Sequence, residues 1–122
     1  MARKAIIIGC ILGALAVAAG AFGAHGLSEF LDESGRASIY ETAVKYQFYH
    51  SLLLILAGVW GQKISIKIPV YLIVLGIVLF SGSLYLLIFA NITWFGIITP
   101  IGGISLIGGW LSLGYAARKL VN

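Results

Sequence analysis

Charged side chains in this chain fall in short clusters, and the clusters are separated by apolar windows of about twenty residues, the length a helix needs to cross roughly 30 Å of hydrocarbon. The first window runs from Ala5 to Gly23 without a charge, and the second is bounded by Arg36 and Lys63. The third runs from Ile68 to Ala90, and the fourth ends at Ala117, before Arg118 and Lys119. With 61% hydrophobic and only 10% charged residues, the chain has too little polar surface to coat a soluble core, since ordinary domains are about 25% charged. The same numbers exclude a disordered tail, and a single cysteine excludes a disulfide scaffold. A length of 122 residues leaves room for one small unit. The expected fold is an all-α membrane protein, a four-transmembrane-helix bundle forming one domain over 1–122, with spans at 5–23, 38–61, 68–90 and 100–117.

Local signals set the ends of these spans. Pro69 falls in the first turn of span three, where a missing N–H does no harm. Thr99 followed by Pro100 reads as an N-cap and a first helical residue; a longer helix kinked at Pro100 is the alternative. A helix starting at Pro100 leaves 91–98 as a short apolar link, with Trp94 and Phe95 dipping into the outer interface. Ser38 and Glu41 have capping-box spacing and place the start of span two at Ser38. Between spans one and two, Leu27, Phe30 and Leu31 against Glu29, Asp32 and Glu33 predict a short interfacial helix closed by Gly35.

The 8 basic and 4 acidic residues give a net charge of +4. The basic residues flank the spans in pairs rather than forming one patch, which speaks for topology signals and against a nucleic-acid partner. Arg3, Lys4, Lys63, Lys67, Arg118 and Lys119 fall on one side and Arg36 and Lys45 on the other. Both termini are therefore expected in the cytoplasm. A cleaved signal peptide over the first 24 residues is the rival to an uncleaved first helix, which is the preferred reading because three further apolar spans follow. Cys10, alone in an apolar run, reads as a small buried hydrophobe.

Small residues recur on one face of two spans. Gly9, Gly13, Ala16, Gly20 and Gly23 do so in span one, and Gly102, Ser105, Gly109, Ser112 and Ala116 in span four. Lipid gives apolar side chains no reason to leave it, so membrane helices associate by close contact, which small residues permit. Both faces are expected to pack tightly, within one protomer or between protomers. Span three has a thinner version in Gly76, Ser83 and Ala90.

Span two is the unusual one. Its uninterrupted apolar run, Leu52 to Trp60, is too short to cross alone, so the helix must carry Lys45, Tyr46, Gln47, Tyr49 and His50 into the bilayer. Polar groups at that depth are costly and are functional candidates by default. Counting about 1.5 Å per residue from the cytoplasmic ends gathers Gln47, His50, Ser81, Ser83 and Ser105 in one layer near the midplane. A second, outer layer would hold His25, Glu41, Lys45, Tyr85 and Thr99. Glu41 precedes Lys45 by four residues, the favourable direction for a helical ion pair. His50 reads either as a hydrogen-bonded pin of the bundle or as a group that transfers protons or touches a ligand. His25 reads as a loop anchor. The spacing of His and Cys fits neither haem nor zinc, and no phosphate loop or catalytic serine arrangement is present in the sequence, so neither a metal, a cofactor nor an enzymatic activity is expected.

Four blocks occur in order: Gly20-Ala21-Phe22-Gly23-Ala24-His25-Gly26-Leu27, Tyr46-Gln47-Phe48-Tyr49-His50, Phe80-Ser81-Gly82-Ser83-Leu84-Tyr85 and Ile98-Thr99-Pro100-Ile101-Gly102-Gly103. In these the chain resembles family 423 of the domains of unknown function, small four-span proteins of bacterial inner membranes with mitochondrial relatives in animals. The resemblance implies four transmembrane helices in a bacterial cell membrane and carries over no catalytic residues. Its blocks coincide with the two polar layers. Three functions stay open. The polar layer binds or passes a proton, ion or small polar ligand; or the chain is an accessory subunit docking on a complex or on copies of itself through its small-residue faces; or it binds a lipid or quinone. The partners that fit are the bilayer, further copies and a larger membrane complex.

Overall fold

The computed structural model describes residues 1–121 and contains helices and turns, with no strand among them. The helices are α1 (Ala2–Ala24), α2 (Ser28–Ser34), α3 (Ala37–Trp60), α4 (Lys67–Ile77), α5 (Ser83–Phe89) and α6 (Ile98–Ala117). A π-turn, Val78–Gly82, joins α4 and α5 into one rod, and a 3₁₀ turn, Thr93–Ile97, leads into α6. Three helical stretches are long and apolar enough to cross a membrane: Ala2–Ala24, Lys67–Phe89 and Thr93–Ala117. The 24-residue α3 matches them in length, but Glu41, Lys45, Gln47 and His50 dilute its apolar character.

The polarity of the molecule is inverted relative to a soluble domain. Ile7, Ile11, Leu15, Ile104 and Leu111 are among many large aliphatic side chains left exposed, whereas Gln47, His50, Ser51, Ser81 and Ser83 are buried. Such a surface is stable only where the surroundings are themselves apolar.

Two antiparallel pairs build the fold. In the first, α1 lies along the full length of α3. A Cβ added at Gly9 would stand 2.7 Å from the Ser51 carbonyl, and one at Gly58 would stand 2.8 Å from that of Ala2. Gly23 faces the Tyr40 ring at the other end. In the second pair α6 lies on the α4–α5 rod. Gly102 meets the backbone at Phe80, Gly76 receives Leu106, and Gly109 receives Ile73. The small-residue faces of α1 and α6 are thus spent on contacts inside the chain. The pairs join where α3 meets the rod, over a core that includes Leu53, Leu54, Ile73, Ile77 and Leu106. At the opposite end Leu31 of α2 packs with Tyr40 and Ile88.

Several local expectations are corrected. Gly35 does close α2, at φ 69. The capping box does not form: α3 starts at Ala37, and no side chain caps it. Helix α6 starts at Ile98 rather than at Pro100, because the preceding 3₁₀ turn already supplies helical backbone and leaves Thr99 inside the helix. Pro100 then falls in the first turn, where an absent N–H costs little. Cys10 is exposed rather than buried, since it points away from the α1 face that meets α3.

Candidate functional site

A glutamine in the middle of α3 is the hub of the polar interior. Its Nε2 donates to the Leu12 carbonyl of α1 at 2.8 Å, and its Oε1 accepts from the Tyr85 hydroxyl of α5 at 2.9 Å. Gln47 thereby ties three helices together. One turn on, Ser51 donates to the Gln47 carbonyl within α3. Tyr40 donates to the Ala19 carbonyl and packs edge-on against Tyr85.

The serines behave in the same way. Ser81 donates to the Ala43 carbonyl at 2.7 Å, joining the rod to α3. Ser105 donates to the Leu72 carbonyl at 2.7 Å, joining α6 to the rod. Ser83 donates to Phe80 in its own rod at 2.9 Å and shares a 2.7 Å contact with Thr99 of α6. Ser112 bonds only within α6, to the Gly109 carbonyl at 3.1 Å. Among the described residues, no buried side-chain nitrogen or oxygen lacks a partner. Such bonds between membrane helices are each worth about 0.6–2 kcal/mol; here most end on backbone carbonyls, and Tyr85–Gln47 and Ser83–Thr99 join side chains directly.

The π-turn serves this arrangement. Its wider coil sits where Phe80 meets Gly102, and it carries Ser81 toward α3 while Ser83 at its end reaches α6. Wider turns of this kind recur at sites where a helix must re-aim its side chains. Nothing in the residue pattern announces it.

His50 is wired differently. Its Nε2 lies 3.0 Å from Trp110 Nε1, and its Nδ1 lies 2.6 Å from the Tyr46 carbonyl. An indole N–H can only donate, so Nε2 accepts, and the ring proton sits on Nδ1, donated to Tyr46. The Trp110 bond bridges α3 and α6 directly. It forms part of the wall of a groove of about 810 Å³ between those helices. Tyr46, Tyr49, Leu53, Phe80, Leu106 and Ile107 also line it. Tyr46 stacks on Phe80 with ring centroids 4.6 Å apart. The groove is open sideways, toward the exposed aliphatic surface, where Tyr49, Leu52 and Ile107 are all more than half exposed.

The expected two layers therefore regroup. Tyr85 and Thr99, assigned by residue counting to the outer layer, bond to the inner-layer groups Gln47 and Ser83. Glu41 and Lys45 form an ion pair at 2.7 Å with both side chains more than half exposed. His25 is exposed at the end of α1, and its carbonyl accepts from Ser28 at 2.9 Å, which makes the residue part of the turn. A count of depth cannot see azimuth, and azimuth decides which groups meet.

Several participants were missed by sequence reasoning. Trp110 had no signal of its own beyond being an aromatic in an apolar helix. Arg36, read only as a topology charge, donates to the Leu87 carbonyl at 2.8 Å and to Asn91 Oδ1 at 2.7 Å. It closes the C-terminus of α5, where a cation meets the unpaired carbonyls favourably. Asn91 itself adopts the left-handed conformation there, at φ 54. Gly58 and Gly61 complete the α1 seam from the α3 side, and the second face could have been sought once the first was seen. No group of three His, Cys, Asp or Glu side chains among the described residues could hold a metal ion.

Residues 19–103 match a family described as a protein of unknown function (DUF423), and the four sequence blocks lie within that stretch. A UPF0382 membrane protein of Staphylococcus haemolyticus is 46% identical over 119 residues, covering 96% of this chain and 97% of its own. The UPF0382 membrane protein YwdK of Bacillus subtilis is 41% identical over 118 residues, covering 93% and 95%. No solved structure matches. An inverted polarity, helices of spanning length and relatives aligned end to end agree: the chain belongs to the DUF423 family of bacterial membrane proteins.

Proposed function

We propose that this chain is a four-span protein of the bacterial inner membrane that holds a lipid chain in the groove between α3 and α6. α3 serves as the fourth span because it runs beside α1 from Gly23–Tyr40 at one end to Ala2–Gly61 at the other, so a bilayer crossed by α1 is crossed by α3. The short helix α2 then rests at the outer surface. All six residues of the larger basic set lie at one end, near the Ala2–Gly61 contact and the 63–67 loop, which favours cytoplasmic termini.

The groove of about 810 Å³ carries the functional reading, because it is apolar, lies within the spanning helices and opens to the side from which lipid arrives. The polar groups, each tied to a carbonyl or to another side chain across a helix contact, support a role in fixing the helices rather than in passing ions. The small-residue faces are occupied, which weakens the reading in which they dock on a partner. Trp110 reports on the groove directly. In a protein with Trp60 and Trp94 replaced by phenylalanine, lipids with brominated chains are expected to quench Trp110 fluorescence. Gly103→Leu, whose added Cβ meets only the Phe80 ring at 3.7 Å, should fill the groove and reduce the quenching by several-fold. Equal quenching in both proteins would remove the basis for a bound chain.

A further inference from the structure

The outer end of the groove has a graded chemistry along α3. Glu41 and Lys45 stand nearest the outer end as an exposed ion pair, with Tyr46 next to Lys45 and Tyr49 one turn below it. Leu52, Leu53 and Leu56 line the groove below the tyrosines. The Tyr40 and Tyr85 hydroxyls are bonded to Ala19 and Gln47, but those of Tyr46 and Tyr49 meet no partner among the described residues. Helical side chains lean toward the N-terminus of their helix, which for α3 is the outer end, so both hydroxyls are carried toward the upper mouth of the groove. On the α1–α2 side of the ion pair is a separate recess of about 430 Å³, bounded by Gly20, Gly23, Leu31 and Asp32.

Charge, then hydroxyl donors, then hydrocarbon is the order met on descending through a glycerophospholipid. The charges also come as one cation and one anion, separated by a helical turn. We infer that the groove, with the Glu41–Lys45 pair beside Tyr49 at its outer end, holds a zwitterionic, amine-bearing glycerophospholipid of the outer leaflet. Lys45 takes the phosphate, Glu41 the amine, Tyr46 and Tyr49 the ester carbonyls, and the Leu52–Leu56 face an acyl chain. Both phenols would then have the acceptors that hydrocarbon denies them. A lipid headgroup also answers the exposure of the ion pair: a phosphate and an amine can each replace half of it.

This inference rests on the groove reading, and its test separates the two. The full chain is placed in nanodiscs made of ethanolamine and glycerol phospholipids with identical acyl chains, and the lipid that stays bound is weighed by native mass spectrometry. The wild type is expected to retain the ethanolamine lipid about tenfold over the glycerol lipid, the scale of one charge-assisted contact. Glu41→Gln should bring that ratio to about parity with total bound lipid unchanged, and Lys45→Met should lower the retention of both lipids. Neither residue is buried, so neither change should disturb folding. Bound lipid without headgroup preference, or a preference that survives Glu41→Gln, would overturn the headgroup assignment and leave the groove standing. A wild type that holds no lipid, that carries a quinone instead, or that leaves the membrane as a lipid-free dimer would overturn both.

Discussion

Gly102 and Gly103 are neighbours in α6 whose replacement by alanine should have opposite consequences. A Cβ at Gly102 would lie 2.3 Å from the Phe80 nitrogen and 2.7 Å from the Leu79 carbonyl carbon. These are backbone atoms of the π-turn, and they cannot swing aside. To restore an ordinary contact α6 must retreat by about 1 Å, which overpacking data in close-packed interiors put at about 1–3 kcal/mol. The retreat also stretches the Ser83–Thr99 and Ser105–Leu72 contacts, each 2.7 Å, beyond hydrogen-bonding length. At about 0.6–1.7 kcal/mol for each interhelical bond, the total loss for Gly102→Ala is about 2–6 kcal/mol. Gly103→Ala meets only the Phe80 ring, at 3.7 Å, and should stay within about 0.5 kcal/mol of wild type. Reversible unfolding in mixed micelles by added dodecyl sulfate, followed by far-UV circular dichroism, measures both. Equal effects of the two substitutions would refute the claim that α6 and the π-turn touch backbone to backbone.

Gln47→Leu removes the tie between α1, α3 and α5 and orphans the Tyr85 hydroxyl, so it should cost about 1–3 kcal/mol in the same assay. Adding Tyr85→Phe to that background should then cost less than it does in wild type, because the partner is already gone. Arg36→Met releases the Leu87 carbonyl and Asn91, and hydrogen exchange over residues 88–93 should quicken while the rest of α5 keeps its protection. Nitrogen NMR of the imidazole rings should find His50 with a protonated Nδ1 and a bare Nε2; a protonated Nε2 would contradict the Trp110 bond.

The repeated small residues in α1 and α6 pointed to real seams because a glycine face has one use in a membrane helix, and the Gly35 closure of α2 was legible for an equally local reason. The Glu41–Lys45 pair was legible from its spacing along one helix, but the polar pairings between helices were not. Tyr85 and Thr99, set in the outer layer by depth, bond to Gln47 and Ser83 of the inner one, because depth was counted along each helix while rotation about the axis was unknown. The π-turn was invisible, since Val78–Gly82 reads as any apolar helical stretch and the Gly102 that packs on it comes from another helix. Capping rules also misplaced Thr99: a 3₁₀ turn ahead of it moved the helix start, and its hydroxyl turned sideways to Ser83.

The division into two antiparallel pairs also orders how the chain can assemble. Each pair joins helices that are close in sequence, α1 with α3 across the short α2 segment and the α4–α5 rod with α6 across a single turn, so neither docking must wait for a distant partner. The first pair is complete by Gly61, and Gln47, buried in the middle of α3, has its Leu12 acceptor within that half. Tyr85, its other partner, arrives with the second half. This buried amide is therefore sheltered early and locked late, and the order of synthesis runs in the same direction as the order of need.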